Sequence, residues 1–169
     1  MFLNIYTHPK VVIAQVQGHA LAGGCGLASI CDWVFSVPEA KFGYTEVRIG
    51  FIPALVSVFL LRKLGEGAAR ELLLSGELIA AERAQAIGLI NRVVSADKLE
   101  AEVNDFASRL IASNSADSMK LTKKLIAEVQ GMNLTQALQH AAESNAYARG
   151  TNDCKRGIEA FLNKEKIIW

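Results

Sequence analysis

Residues 1–95 alternate short apolar runs with glycine-rich turns. Two of these runs, residues 10–16 and 33–37, are rich in β-branched or aromatic side chains and predict buried strands. Between them lies a glycine-rich turn, residues 18–27, which continues into a helical pattern through Ile30. The pattern therefore predicts a β-α-β step, followed over residues 41–44 by either a short third strand or an edge piece.

Glycines also punctuate the middle of the chain. Pro53 is expected to open a helix, because proline is tolerated at the first helical position. Each predicted helix is followed within two residues by a glycine, which is typical of helix ends. The predicted elements are helices over residues 54–64, 66–74 and 80–87 and a last strand over 89–94.

From Asp97 onward the pattern is helical throughout. Helices are predicted over residues 117–130 and 134–149, the second with Asn133 as N-cap and Gln136 at the capping-box position, and Asp153 is expected to cap a last helix. The second helix carries a stripe of mostly small residues, which favours close helix packing: Leu134, Ala137, Leu138, Ala141, Ala142 and Asn145. We expect an α/β core over residues 1–95 and a helical packing or assembly region over 96–169.

Composition and charge argue against two classes of partner, nucleic acids and membranes. The chain has 169 residues, of which 51% are apolar, enough for one ordinary core. Lys and Arg number 18 against 17 Asp and Glu, so no overall basic field favours nucleic acid. The longest apolar stretch, residues 51–61, is interrupted by Pro53 and is shorter than the ~20 residues of a membrane span. We therefore expect neither a nucleic-acid partner nor a membrane partner.

The cysteines predict a cellular compartment, and the spacing of the histidines argues against a metal site. The three cysteines form no C-x-x-C pair and the first residues lack a basic segment, which predicts a reduced, cytoplasmic protein. The three histidines, His8, His19 and His140, lie far apart and lack ligand spacing, so no metal site is expected.

The glycine turn is the first candidate for chemistry. Where a strand leads into a helix, the first backbone N–H groups have no intrahelical partner and the helix dipole adds positive charge. Glycines at 23 and 24 would let a ligand atom approach those donors. A phosphate loop is excluded, because Gly24 and Cys25 stand where it needs Lys and Ser or Thr, and a dinucleotide fingerprint is absent. An oxyanion site built from main chain near Gly23 and Gly24 fits better.

Two side chains near this turn have alternative interpretations. Cys25 is either a nucleophile with His19 as its base or, more commonly for such a setting, an inert buried thiol. Glu46 stands among apolar residues. It is either a salt-bridge partner of Arg48 or a half-buried acid or base.

Several segments in order resemble the enoyl-CoA hydratase/isomerase (crotonase) family. They are residues 12–25, Cys31-Asp32, residues 40–53, residues 84–94 and residues 156–161. The resemblance runs from about residue 9 to the C-terminus. It implies a spiral of β-β-α units followed by helices that mediate trimerisation, and a homotrimer or a dimer of trimers.

The resemblance also implies acyl-CoA thioesters as substrates, with coenzyme A as part of the substrate and no separate cofactor. Gly23 matches a residue whose N–H helps to hold the thioester oxygen, and Glu46 matches a glutamate that transfers a proton. The remaining positions matched to the substrate site are Ala20, Ala22, Gly24, Pro53 and Ala54.

The chain departs from the family pattern at position 26. Hydratases of the family carry two glutamates that hold water, whereas here the first position is Gly26 and only Glu46 remains. One glutamate suffices to move a proton between carbons, which favours Δ3,Δ2-enoyl-CoA isomerisation; a hydratase of a short or branched 2-enoyl-CoA is the alternative. Residues 54–57 also replace a glycine-rich continuation and predict a bulkier, more apolar pocket wall.

A second departure is at the front. Family members carry a further N-terminal portion with the other oxyanion donor, so we interpret the chain as truncated and expect residues 11–16 to form an exposed sheet flank. We expect little activity from these 169 residues alone, and strong turnover of an enoyl-CoA by them would refute that expectation. A non-catalytic assembly or binding module is the further alternative.

Overall fold

The computed structural model describes residues 1–169, which divide into two compact units. Unit 1 comprises Met1–Tyr6 and Val12–Asn104, and unit 2 comprises Thr7–Val11 and Asp105–Trp169. The domain boundary expected after residue 95 stays a prediction.

The chain is mixed α/β, with eight α-helices and six short strands. Unit 1 holds the strands and a 3-10 helix, Thr45–Ile49. The elements in chain order are α1 (Phe2–Tyr6), β1 (Ile13–Val16), β2 (Ala20–Leu21), α2 (Gly23–Ser29), β3 (Trp33–Ser36), β4 (Lys41–Gly43), α3 (Ala54–Ser75), β5 (Ile79–Ala80), α4 (Ala81–Ala86), β6 (Arg92–Val93), α5 (Leu99–Ser113), α6 (Ala116–Val129), α7 (Leu134–Arg149) and α8 (Asn152–Leu162).

The strands form two three-stranded sheets. The first has the order β1-β3-β6 and is entirely parallel, with Ile13 opposite Trp33. This pairing confirms the predicted β-α-β step, and β1 is an edge strand of the sheet. The second has the order β2-β4-β5, with Ala20 opposite Phe42 and β5 antiparallel to β4. Strands β2 and β5 were not expected, since two residues are too few to show periodicity.

Several predicted boundaries change. The two helices predicted on either side of Gly65 form one element, α3, which runs to Ser75 and is interrupted by a kink at Gly65, where φ is 73° and ψ is 174°. The last helix begins after Thr151 rather than Asp153, because the Thr151 hydroxyl accepts the Cys154 N–H at 3.2 Å. The last strand is shorter than predicted and covers only β6.

The core lies in unit 1. All 20 buried apolar residues fall between Ala20 and Leu99, and the largest side chains there include Tyr44, Phe35 and Phe42. Helices α6, α7 and α8 bury no residue. No helix combines the length and the apolar character that crossing a membrane requires.

Candidate active site

The glycine turn forms the uncapped start of α2. Strand β2 leads through Ala22 into Gly23, and no side chain caps the helix, so first-turn N–H groups lack an intrahelical partner. Ala22 has φ 48°, a value that residues with a Cβ rarely adopt, and its N–H donates to the Gly43 carbonyl at 2.8 Å. A Cβ at Gly23 or Gly24 would meet no atom within 4 Å. The start of α2 therefore borders open space.

Glu46 has the properties of an acid or base held ready at a site. It is half-buried in the 3-10 helix that follows β4, and its Oε2 is buried without a hydrogen-bond partner. An ion pair with Arg48, the alternative interpretation of Glu46, does not satisfy this oxygen. The Arg48 side chain lies beside Gly76, with its Nε 3.3 Å from the position that a Cβ at Gly76 would occupy. Leaving such an oxygen unpaired costs stability, so an orphan of this kind calls for a functional explanation.

Cys25, in the first turn of α2, is a buried and inert thiol. Its side chain is fully buried, and burial raises the pKa of the Cys25 thiol to about 11, with the negative charge of Glu46 adding to the effect. The thiol is therefore protonated at neutral pH. The expected base does not contact it, because His19 is exposed and its Nδ1 accepts the Lys41 N–H at 3.2 Å. The nucleophile interpretation of Cys25 is wrong.

The volume beside Gly26 is already filled. A Cβ at this position would lie 2.2 Å from Val56 Cγ1 and 3.1 Å from the Phe2 ring. Val56 is buried in the first turn of α3, whereas Leu55 beside it is 68% exposed. Position 26 is thus closed by a neighbouring side chain, and a glutamate cannot enter without displacing Val56.

The other predicted site residues lie on the elements around this turn. Ala20 is buried in β2, and Pro53 is buried at the N-cap of α3, followed by the exposed Ala54. Ala22 and Gly24 flank the first residue of α2. Their contacts with a substrate stay predictions.

Three side chains that the sequence did not single out hold α2 in place. The Tyr44 hydroxyl donates to Ser29 Oγ at 3.2 Å, and the Lys63 Nζ donates to the Ser29 carbonyl at 2.7 Å. No sequence pattern around Ser29 predicts these bonds, because Tyr44 and Lys63 lie 15 and 34 residues further along the chain.

The histidines make ordinary polar contacts. His140 Nε2 lies 2.8 Å from Glu128 Oε2, and His8 Nδ1 accepts the Lys10 N–H at 3.1 Å. No three His, Cys, Asp or Glu residues cluster in a way that would hold a metal ion.

Comparison with known proteins identifies the relatives of this arrangement. A putative enoyl-CoA hydratase from Thermus thermophilus is 47% identical over 164 residues, which cover 97% of this chain and 64% of the relative. A crotonyl-CoA hydratase from Syntrophomonas wolfei is 36% identical over 98% of this chain and 64% of its own length. The solved structure of an enoyl-CoA hydratase from Mycobacterium smegmatis matches with a TM-score of 0.92 and 30% identity over 99% of this chain and 65% of that one.

These likenesses extend to the whole chain and agree with the expected fold. The chain spans about 64% of the length of these two curated relatives. The family model described as enoyl-CoA hydratase/isomerase matches residues 1–169. The chain therefore belongs to the enoyl-CoA hydratase/isomerase family, with its crotonase fold.

Proposed function

We propose that this protein shifts the double bond of an enoyl-CoA thioester, with the Gly23 N–H holding the thioester oxygen and Glu46 moving the proton. The observation that carries the proposal is the buried Glu46 Oε2, which has no hydrogen-bond partner. A carboxylate oxygen in that state is ready to accept a proton. The uncapped start of α2 supplies the donor that the developing negative charge needs.

The proposed reaction has two proton transfers. Glu46 removes a proton from C2 of a 3-enoyl-CoA, and the electron pair moves onto the thioester oxygen as an enolate. The Gly23 N–H stabilises that oxygen, and a donor of this kind typically contributes ~10²-fold or more in rate. The protonated Glu46 then delivers the proton to C4, which leaves a 2-enoyl-CoA and restores the carboxylate.

The closed position 26 supports isomerisation over hydration. Addition of water by a pair of glutamates needs a second carboxylate, and Val56 fills the space where that side chain would start. The second candidate is hydration of a short or branched 2-enoyl-CoA, with another side chain orienting the water. The names of the Thermus and Syntrophomonas relatives favour this second candidate.

The surface after Glu46 supports an apolar acyl group as substrate. Exposed apolar side chains continue from the 3-10 helix into α3, and an apolar chain lying against them would be removed from water. They are Ile49, Phe51, Ile52, Leu55 and Val58. Ala20, Ala22, Gly24, Pro53 and Ala54 would line the thioester end, and coenzyme A would enter as part of the substrate.

Assembly into a homotrimer or a dimer of trimers belongs to the same proposal. Its support is the set of exposed apolar side chains on α7 and α8, which comprises Leu134, Leu138, Ile158, Phe161 and Leu162. Several large apolar side chains exposed on neighbouring helices are typical of protein interfaces.

The test measures the two reactions separately in the protein expressed from its complete reading frame. A 3-enoyl-CoA and a 2-enoyl-CoA are supplied in turn, and formation or loss of the conjugated thioester is followed. We expect the double-bond shift to exceed hydration, and Glu46→Gln to lower it by about 10²–10⁴-fold without loss of substrate binding. Glu39→Gln, which changes an exposed glutamate, is the matched control.

Each other outcome selects an alternative. Faster hydration than isomerisation assigns the hydratase function. Substrate binding without either reaction assigns a binding or assembly module, and full activity of Glu46→Gln places the proton transfer on another group.

A further inference from the structure

Ser29 is a buried junction between three parts of unit 1. Its side chain is 6% exposed, and its Oγ donates to the Gly26 carbonyl at 2.9 Å within α2. The same Oγ accepts from the Tyr44 hydroxyl, and the Ser29 carbonyl accepts from Lys63 on α3. One residue at the end of α2 therefore joins the helix to the segment before Glu46 and to α3.

Helix α2 depends on these outside bonds. It has only seven residues and no side-chain cap at its start, and a helix of that length is marginal by itself. At its first end the Ala22 N–H is bound by the Gly43 carbonyl, and at its last end Ser29 is bound by Tyr44 and Lys63. Both ends are thus fixed by other elements, which set the direction of the first-turn N–H groups.

The segment that holds α2 is also the segment that carries Glu46. Gly43 and Tyr44 are consecutive, and Glu46 follows two residues later in the 3-10 helix. The Tyr44 side chain is fully buried, and burial raises its pKa, so the hydroxyl remains a donor at all ordinary pH values. A shift of Tyr44 would move the helix start and Glu46 relative to each other.

Lys63 adds a half-buried charge that packing alone does not require. Burial lowers the pKa of this ammonium, which shows that its environment disfavours the charged form. An apolar side chain of similar size would avoid that penalty. What the ammonium supplies is a directed hydrogen bond to the last carbonyl of α2, where a cation also complements the helix dipole.

We propose that Tyr44 and Lys63, acting through Ser29, are positioning residues that align the start of α2 with the Glu46 carboxylate. The inference rests on the proposed function, because it concerns the alignment of the two groups to which that function is assigned. Small misplacements of reacting groups are costly, with a shift of ~1 Å able to lower a rate by ~10²-fold.

The test removes the two hydroxyl groups of the Tyr44–Ser29 bond one at a time in the protein expressed from its complete reading frame, and Ser29→Ala also deletes the bond from Ser29 Oγ to the Gly26 carbonyl. Tyr44→Phe keeps the ring and deletes the hydroxyl, and Ser29→Ala deletes the acceptor. We expect each to lower kcat by about tenfold while KM changes by less than about twofold, because the lost alignment matters only for the reacting atoms. The double variant is expected to show little loss beyond that of Ser29→Ala, since both changes remove the Tyr44–Ser29 bond.

Lys63 has a matched control on the same helix. Lys63→Met is expected to lower kcat in the same way, and Lys63→Arg to restore part of it. Arg62→Met alters the exposed neighbour, whose guanidinium only contacts the Val58 carbonyl one turn earlier, and should leave kcat unchanged.

Hydrogen exchange tests the positioning role without measuring turnover. Tyr44→Phe should accelerate hydrogen exchange at the Ile30 amide, which binds the Gly26 carbonyl in α2, and leave the Asn91 amide, bound to the Val34 carbonyl, unchanged. Wild-type kcat in Tyr44→Phe and Lys63→Met, with Glu46→Gln inactive, would overturn the positioning role alone. Activity in Glu46→Gln would overturn the proposed function, and unchanged exchange at Ile30 would overturn the positioning role whether or not turnover is seen.

Discussion

Each of the two units of this chain is stabilised internally in a different way. Unit 1 contains all 20 buried apolar residues, and its helices α2, α3 and α4 begin without a side-chain cap. Unit 2 buries no apolar residue, and its helices α6, α7 and α8 all begin with a capping side chain, from Ser115, Asn133 and Thr151. Tertiary burial thus orders the region of the candidate site, while local hydrogen bonds order the helical region.

This difference has a consequence for function. A short uncapped helix held by distant residues can present its first N–H groups to a ligand, because no side chain of its own occupies them. Capped helices with exposed apolar faces are suited to contacts with other chains instead. The proposed chemistry lies in unit 1 and the proposed assembly surface in unit 2, and the difference in how each unit is stabilised can be tested by unfolding.

The largest difference is expected between a buried leucine of unit 1 and an exposed leucine of unit 2. Leu60 has no exposed surface, so Leu60→Ala should lower the free energy of unfolding by ~2–5 kcal/mol through lost burial and a cavity. Leu138 is 62% exposed, and Leu138→Ala should change the free energy of unfolding by less than about 0.5 kcal/mol. Urea unfolding of dilute protein measures both, and equal losses would show that the two units are not held differently.

The next effect tests the closed volume beside Gly26. Gly26→Ala should destabilise the protein by about 3 kcal/mol, because the new methyl group overlaps Val56 Cγ1. Gly67→Ala on α3, where a Cβ meets no atom within 4 Å, should instead stabilise it by up to ~1 kcal/mol. The Gly26→Ala loss should shrink in a Val56→Ala background, and an undiminished loss would contradict the stated overlap.

The third effect is the pH dependence of stability from Cys25. Its pKa rises from 9.0 to about 11 on folding, so between these pH values the unfolded chain loses a proton that the folded chain keeps. Stability must then fall with rising pH across this window, by ~2–3 kcal/mol at ~1.4 kcal/mol per unit of pKa shift.

Cys25→Ala isolates that contribution. Tyr44, whose pKa is raised, adds a loss of stability above pH 10, whereas Lys63, whose pKa is lowered, acts in the opposite direction below pH 10.5, and the variant retains both groups. Denaturant unfolding at pH 8 to 11 should therefore show a shallower decline for Cys25→Ala. Parallel curves for the two proteins would mean that the thiol is not buried as described.

The smallest effect concerns the caps of unit 2. Asn133→Ala removes the side-chain oxygen that accepts the Gln136 N–H, while the backbone N–H of residue 133 can still donate to the Gln136 side chain, and it should cost about 1 kcal/mol, confined to α7. Thr135→Ala changes a neighbouring exposed residue and should leave the helix intact. Hydrogen exchange along α7 measures the loss, and equal exchange in both variants would argue against local capping as the source of order.

Sequence reasoning was most successful where the determinants are local. The capping box at Asn133 and Gln136 is confirmed, and so are the β-α-β step and the interruption at Gly65. It failed for β2, whose residue Ala20 pairs with Phe42, because that pairing depends on contacts distant in sequence. It also chose Asp153 as a cap, whereas Asp153 accepts the Ser115 hydroxyl at 2.6 Å. Thr151 and Asp153 are both residue types that cap helices, and only the tertiary contacts decide that Thr151 does so here.

The candidate site shows the same division. Gly23 and Glu46 were identified from their surroundings in sequence, and their catalytic roles stay predictions. The sequence showed that Gly26 lacks a carboxylate but not that its space is filled, because Val56 lies 30 positions later and Phe2 lies at the start of the chain. The expected bulkier pocket wall at residues 54–57 stays a prediction; the structure shows Val56 filling the volume beside Gly26 and Leu55 exposed.

The most direct test of the account follows the exchange of the C2 proton of a bound acyl-CoA with deuterated water by NMR. The protein expressed from its complete reading frame should exchange this proton, because we propose that Glu46 removes it and that the Gly23 N–H holds the resulting enolate oxygen. Glu46→Gln should bind the same thioester and exchange it at least ~10²-fold more slowly. Exchange by Glu46→Gln at the unaltered rate would contradict the central claim.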